Sequence, residues 1–416
     1  MTETKFSGIA SIGEIPAHWK TYRIKSLLSL RSEKNSGDRD LLSVYLDKGV
    51  ISYNDSDGLQ VHKPSADLSN YQNVHIGDFV LNNQQAWRGS VGVSKYDGII
   101  SPAYFVFSLS DKCDPDYMNF LLRDGSMVQQ YETASRGVGT IQRNLYALWF
   151  YESLVALPPL AEQRRIADFL DTKCAEIDAL TADIQTQIDT LEQYKRSVIT
   201  ETVTKGLNPD AEMKDSGVFY MAPMNASWRL TKIGYICTKL SRSFVSEDTA
   251  LICSNKGKVQ VRADDLTGIM VSDDNAMQGI RAGDIAIHGM DTWHGAIALS
   301  EFDGKITRVV HVCDSTEDKR FIVYYMQHLA FQGVYKLISN GVRGNTSDFR
   351  SWDKVRDIWI AIPKTRQEQE AICDYLDRQC NAVEEVISTK KQQLEVLATY
   401  KKSLIFEYVT GKKEVV

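Results

Sequence analysis

The sequence predicts an α+β fold. Two pseudo-symmetric α/β domains are separated by two long helices that pair as an antiparallel coiled coil. Three observations lead there. The chain repeats itself at a spacing of 206 residues, from Glu162 to Glu368. Each copy ends in a stretch whose apolar residues recur every seven positions. The region before each such stretch mixes strand and helix patterns.

The repeat runs through most of the chain. "EQRRIADFLDTKC" from Glu162 returns as "EQEAICDYLDRQC" from Glu368. "YKRSVITETVT" from Tyr194 returns as "YKKSLIFEYVT" from Tyr400. Upstream, "GDFVLNNQQAWRGSVGVSKYDG" from Gly77 answers "GDIAIHGMDTWHGAIALSEFDG" from Gly283, so that Trp87 pairs with Trp293, Gly89 with Gly295 and Asp97 with Asp303. Near the starts of the halves, "KFSGI" at Lys5 parallels "KDSGV" at Lys214, and Trp19 parallels Trp228. The expected order is a first domain over 1–157, a long helix over 158–208, a second domain over 209–362 and a second long helix over 363–416. The polar stretch Lys205–Gly217, with its Gly, Asn and Pro, is the expected linker.

Within each variable half, "VSKYDGIISPAYFVFSL" and "ALSEFDGKITRVVHVCD" read as two strands joined at an Asp-Gly turn. "DYMNFLLRDGSMVQQYE" and "RFIVYYMQHLAFQGVYKL" carry apolar residues at helical spacing. "ESLVALPP" and "DIWIAIPK" read as a last strand leading into the long helix, with Pro158, Pro159 and Pro363 at the helix entrance, where proline is tolerated.

Each long helix spans roughly 40 residues, about 60 Å at the α-helical rise. The first seam is Leu170, Ile177, Ile184, Leu191 and Val198, with Ile166, Leu180 and Tyr194 as the complementary set. The second is Leu376, Val383, Leu397 and Leu404, with Ile372, Val386 and Tyr400. A strict seven-residue period demands a partner helix, and the other copy is the obvious one. Gln187, Gln393 and Lys390 interrupt the pattern. They read either as surface drift or as polar residues that set register.

The 416 residues, 43% hydrophobic, suffice for two or three packed domains. The net charge of −6 neither supports nor excludes nucleic acid, because folds sort charge by face. Seven cysteines, an odd number with no C-x-x-C pair, suggest free thiols in a reducing cytosol, where they serve as small apolar residues. The N-terminus lacks a secretory signal, and no apolar run reaches the ~18 residues of a membrane span. The expectation is a soluble cytoplasmic protein.

Catalytic patterns are missing. There is no G-x-S-x-G elbow, Walker A loop or H-E-x-x-H helix, and no adenine-methyltransferase tetrad. "NPDAEMK" offers Asp210, Glu212 and Lys214 too close together for a metal-dependent nuclease. His288, Asp291 and His294 flank one turn without further ligands at a recognisable spacing, so no metal site is expected.

"LPPLAEQRRIADFLDTKCAEIDAL" followed by "YKRSVITETVTKGL" resembles the conserved helical region of the specificity subunit of type I restriction-modification systems. "KFSGIASIGEIPAHWK" resembles that family's N-terminal lead-in, and the second half repeats the plan. The second lead-in, "KDSGVFYMAPMNASWR", departs from the Gly-Glu-Ile-Pro wording. The resemblance implies two target-recognition domains, each reading one half of a split double-stranded DNA target, and a coiled coil that sets the gap. It implies two modification subunits carrying S-adenosylmethionine and methylating adenine. A restriction subunit would add ATP- and Mg-dependent translocation and cleavage. The chain itself would bind no cofactor and catalyse nothing.

Base edges are read by Arg, Asn, Gln and small polar side chains, and phosphates by Lys, Arg and backbone amides. On that basis "NNQQAWRGS" offers Gln84, Gln85 and Arg88, along with Asn82, Asn83 and Trp87. "SRGVGTIQRNLY" offers Arg136, Thr140, Gln142, Arg143 and Asn144, with glycines that allow close approach. In the second half "NGVRGNTSDFRSW" offers Arg343, Asn345, Thr346, Ser347 and Arg350, and "HGMDTWHG" offers His294 beside His288 and Asp291. "SNKGKVQVR" supplies Lys256, Lys258 and Arg262 for phosphates. Two readings from other classes stay open on the residues alone: a coiled-coil adaptor without DNA readout, and a stand-alone DNA-modifying enzyme.

Overall fold

The computed structural model describes residues 3–35, 37, 39–56, 64–65, 67–138, 142–262, 274–339 and 349–415. It falls into two units, one of residues 1–184 with 392–416 and one of residues 185–391.

In the first unit a four-stranded antiparallel sheet has the order Leu28–Arg31, Tyr104–Leu109, Phe79–Asn82, Val91–Val93. The helices Pro115–Arg123 and Gly125–Thr133 follow it in the chain, with Asp114 capping the first and Asp124 the second. Phe79, Phe107, Tyr117, Tyr131 and Phe150 fill the core. The hairpin Leu42–Tyr45/Gly49–Ser52 and the pair Gln72–Val74/Gly98–Ile100 complete the strands beside it. The last strand, Leu154–Leu157, pairs with Lys20–Arg23 and leads into the first long helix.

The second unit repeats this plan. Its four-stranded sheet has the order Cys237–Lys239, Val310–Ser315, Ile285–His288, Ile297–Leu299. Helix Lys319–Phe331 is capped by Asp318, and the strand Trp359–Ile362 pairs with Arg229–Lys232.

One expectation fails in both units. The strands on either side of each Asp-Gly do not pair with each other. Val91–Val93 joins the four-stranded sheet, whereas Gly98–Ile100 pairs with Gln72–Val74. Asp97 is instead held by accepting the Ile76 N–H at 3.1 Å. Gly98 is required by crowding, because a Cβ there would lie 2.5 Å from the Asp40 carbonyl oxygen. Gly304 repeats this against Thr249 at 2.4 Å. The dipeptide marks a close backbone approach, not a hairpin turn.

The long helices are Leu160–Lys205 and Arg366–Val409. The Glu-Gln repeated at Glu162 and Glu368 has the same structural role in both copies. Gln163 is buried at the first helix start, accepts the Asp114 N–H at 2.8 Å and donates to the carbonyls of Lys112 and Pro158. Gln369 does the same with the Asp318 N–H at 2.9 Å and the Pro363 carbonyl. The preceding Glu162 accepts the Trp19 indole N–H at 3.0 Å, and Glu368 accepts that of Trp228 at 2.9 Å. Each helix is thereby fastened to the domain in front of it.

Within each unit the two helices run antiparallel. In the first, Phe169 meets Tyr408 at a ring separation of 4.5 Å and Asp178 pairs with Lys401 at 2.6 Å. In the second, Gln187 meets Lys390 and Lys195 pairs with Glu384 at 2.6 Å. Numbers rise on one helix as they fall on the other. Leu170, Ile177, Ile184, Leu376, Val383 and Leu404 are buried, and Leu191, Val198 and Leu397 are half-buried.

Of the complementary set, Ile166 and Ile372 at the helix starts are buried as expected, and the rest differ. Leu180, Tyr194, Val386 and Tyr400 are exposed, while Cys174, Ile188, Cys380 and Ile387 are buried. Beyond the first turns, Cys174, Ile188, Cys380 and Ile387, four residues after a seam position, face inward, and Leu180, Tyr194, Val386 and Tyr400, three after one, face water. A period of seven admits either choice. Gln187 and Gln393 are exposed, so only Lys390 of the three interruptions is even partly covered.

The two Lys–acid pairs sit at repeat-equivalent positions, since Lys195 corresponds to Lys401 and Asp178 to Glu384. Lys401→Glu is expected to cost about 0.2–1 kcal/mol, as partly exposed pairs do. Adding Asp178→Lys should recover it in thermal unfolding. All seven cysteines are free and buried, and burial pushes the Cys237 and Cys253 thiols up to about 12.

Candidate nucleic-acid interface

In the first unit the turn Asn82–Gly89 and the hairpin Ser135–Val138/Gln142–Leu145 come together. Leu145 N–H donates to Asn83 Oδ1 at 3.0 Å. The turn contains a short 3₁₀ segment, Ala86–Arg88, closed by Gly89 at φ +97°. That conformation favours glycine and recurs at Gly295, φ +79°. Trp87 lies half-buried between two guanidiniums, Arg88 at 4.6 Å and Arg143 at 4.7 Å from its ring centre. Arg136 stacks over Trp149 at 4.2 Å. Arg143 also pairs with Glu132 at 2.9 Å. Stacking pre-orders a guanidinium, so less rotamer freedom is lost when it meets a phosphate or a guanine edge.

Gln84, Arg88, Arg136 and Asn144 are exposed, and Gln85 and Arg143 half-buried. Gln142 is a backbone member of the hairpin opposite Val138, and Arg136 lies opposite Asn144. Thr140 and Gly139 lie outside the described residues. A cavity of about 780 Å³ adjoins the turn and is lined by Gln84, Gln85, Arg88, Tyr45 and Tyr104 among others.

In the second unit the equivalent turn holds His288, Asp291 and His294 where the first has Asn82, Gln85 and Arg88. His288 Nδ1 accepts the N–H groups of Met290 at 3.3 Å and Asp291 at 3.1 Å. Burial lowers its basicity against the pull of Asp291. The same Nδ1 lies 3.2 Å from the Asp291 carboxylate. Arg350 is exposed and touches the Met290 sulfur at 2.8 Å, and His294 is exposed. Arg343, Asn345, Thr346 and Ser347 lie outside the described residues.

Lys256 is exposed at the tip of the hairpin Leu251–Ser254/Lys258–Val261. Lys258 is engaged elsewhere, pairing with Glu384 of the second long helix at 2.5 Å. Arg262 is half-buried, and its backbone N–H bonds the Ala250 carbonyl at 2.9 Å. Reading residue types alone could not foresee that Glu384 claims Lys258. It also missed Tyr146, Leu148 and Trp149, which are exposed beside Arg136. The signal was present as apolar residues on both faces of "LYALWFY", more than one core-facing stripe needs.

Among the described residues, no group of three or more His, Cys, Asp or Glu could hold a metal ion, and no helix is long and apolar enough to cross a membrane.

Residues 16–190 match the family model of the type I restriction modification DNA specificity domain. The chain is 23% identical over 447 aligned positions to the protein named as the MjaX type I restriction enzyme specificity subunit of Methanocaldococcus jannaschii, covering 96% of this chain and 95% of that protein. Its fold resembles a chain from a structural study of assembly and conformational transition in the type I R-M system, with a TM-score of 0.69 at 17% identity, covering 96% and 99% of the two chains. The HsdS subunit of Thermoanaerobacter tengcongensis aligns over 96% of this chain and 98% of its own at 16% identity and a TM-score of 0.49.

Proposed function

We propose a division of labour for this chain, which belongs to the specificity subunits of type I restriction-modification systems, the non-catalytic DNA-recognition subunits of those complexes. Each globular part is a target-recognition domain that reads one half of a split double-stranded DNA target. The helix pair sets the gap and carries two modification subunits. S-adenosylmethionine belongs to those subunits, and ATP and Mg to a restriction subunit where one joins.

One observation carries this reading. The same 3₁₀ turn is built twice, yet Asn82, Gln85 and Arg88 in one copy become His288, Asp291 and His294 in the other. A repeated scaffold with divergent polar readers is what two different half-sites require. The test is an adenine-methylation profile of a methylation-free host that expresses this chain with its cognate modification subunit. A single split motif, lost without this chain, is expected. No motif from folded, associated proteins would favour the adaptor reading.

Within that complex, Arg143→Ala should weaken DNA binding. If Arg143 meets a phosphate, the slope of log K against log salt falls by about 0.9. If it meets a base edge, discrimination at one position falls by about 1–3 kcal/mol. Binding titrations at several salt concentrations separate the two.

A further inference from the structure

The short helix Ala147–Tyr151 follows directly on the arginine-bearing hairpin of the first unit. Within four residues the chain exposes Tyr146 by 50%, Leu148 by 80% and Trp149 by 43%. Single exposed apolar side chains are ordinary, but three large ones within four residues, one of them beneath a stacked guanidinium, mark a binding surface. The rings of Tyr146 and Trp149 lie 5.7 Å apart, and Arg136 covers Trp149 at 4.2 Å. From beneath, Phe150 is fully buried, 5.7 Å from Phe107 and 5.8 Å from Tyr131. The apolar prow is thus firmly seated in the core, with its outer side in water.

The second unit shows that the fold does not need this prow. Its equivalent helix, Trp352–Arg356, precedes the same last strand and carries Asp353 and Lys354 where the first has Leu148 and Trp149. Asp353 is 82% exposed.

We propose that Leu148, backed by Trp149, is an apolar wedge that enters the DNA groove at one half-site and partly unstacks a base step there, while the second unit reads its half-site without a wedge. This rests on the reading of the surface as DNA-facing. A groove offers two rows of phosphates around a stack of apolar bases. Arginines flanking an apolar tip complement that pattern, and leucine is among the side chains that insert between base steps. An apolar protein face would instead have to strip water from Arg88, Arg136 and Arg143 at a cost in desolvation.

The test uses the assembled complex with its modification subunits, on duplexes of the motif found by methylation profiling. 2-Aminopurine is placed singly along both half-sites, leaving out the methylated adenine, because a methyltransferase extrudes its own target base. Emission should rise several-fold at one step in one half-site only. It should fall back to the free-duplex level in Leu148→Ala. Leu148→Asp, which copies the second unit's residue type at a solvent-facing position, should do the same without loss of folding. Two results overturn the wedge: no step brightens, or the brightening persists in Leu148→Ala and in Trp149→Ala. Arg136→Ala separates this failure from failure of the underlying reading. If it weakens DNA binding and no step brightens, only the wedge falls. If it leaves DNA affinity and its salt dependence unchanged while Leu148→Ala weakens association with the modification subunit, the surface faces a protein and both fall.

Discussion

Replacing Trp228 with alanine is expected to destabilise the second unit by about 3–5 kcal/mol, the usual cost of emptying a buried tryptophan site. Trp228 is 1% exposed and meets Phe321 edge to face at 5.8 Å. Its indole N–H donates to Glu368 in the first turn of the second long helix. Its ring also lies under Gly206, just past the end of the first long helix, where a Cβ would come within 3.3 Å of it. One side chain therefore joins a lead-in segment, the end of one helix and the start of the other. Urea unfolding followed by circular dichroism should show an earlier transition. Glu368→Gln keeps an acceptor and should cost only about 1 kcal/mol. Equal losses from the two variants would contradict the packing account. Trp19 holds the matching place in the first unit, against Glu162 and Gly411.

Lowering the pH should weaken the second unit through His328. This side chain is 3% exposed and shares a hydrogen bond with Thr200 Oγ1 at 3.1 Å. Burial pushes its pKa from the ordinary 6.5 down to about 4. The folded state thus holds the ring neutral while the unfolded chain protonates it. Stability from this group is complete above pH 6.5 and is lost progressively as pH falls toward 4, by about 3 kcal/mol in all. Unfolding midpoints measured between pH 7 and pH 4 should drop accordingly. In His328→Gln the part of the slope between those values should flatten. A wild-type profile that is level over this range would show that the site hydrates without unfolding.

How much of this was legible beforehand depends on the range over which each feature is encoded. The long helices and the strand leading into each coiled coil follow from local periods and local hydrogen bonding. The repeat makes the pseudo-symmetry visible with no structure at all. The Asp-Gly strands were misjudged because a crowded backbone and a hairpin turn both select glycine, and only the Asp40 carbonyl 2.5 Å from a Cβ on Gly98 tells them apart. The seam row holds throughout, whereas the complementary row holds only at Ile166 and Ile372. Leu180 and Tyr194 are as apolar as Ile188, and only the partner helix chooses between the rows.

The sequence by itself determined that this protein is one scaffold written twice, with helices alike and the preceding domains unlike, and that its repeated helical region resembles that of DNA-specificity subunits. The tertiary structure alone decided which of the candidate DNA-contacting side chains stand together. Trp87 is clasped by Arg143 from a hairpin more than 50 residues away, and Lys258 is paired with Glu384 more than 120 residues away. The physical reason is that stacking and ion pairing act over a few ångströms of space. No period or motif in the chain records which distant side chain the fold brings within that reach.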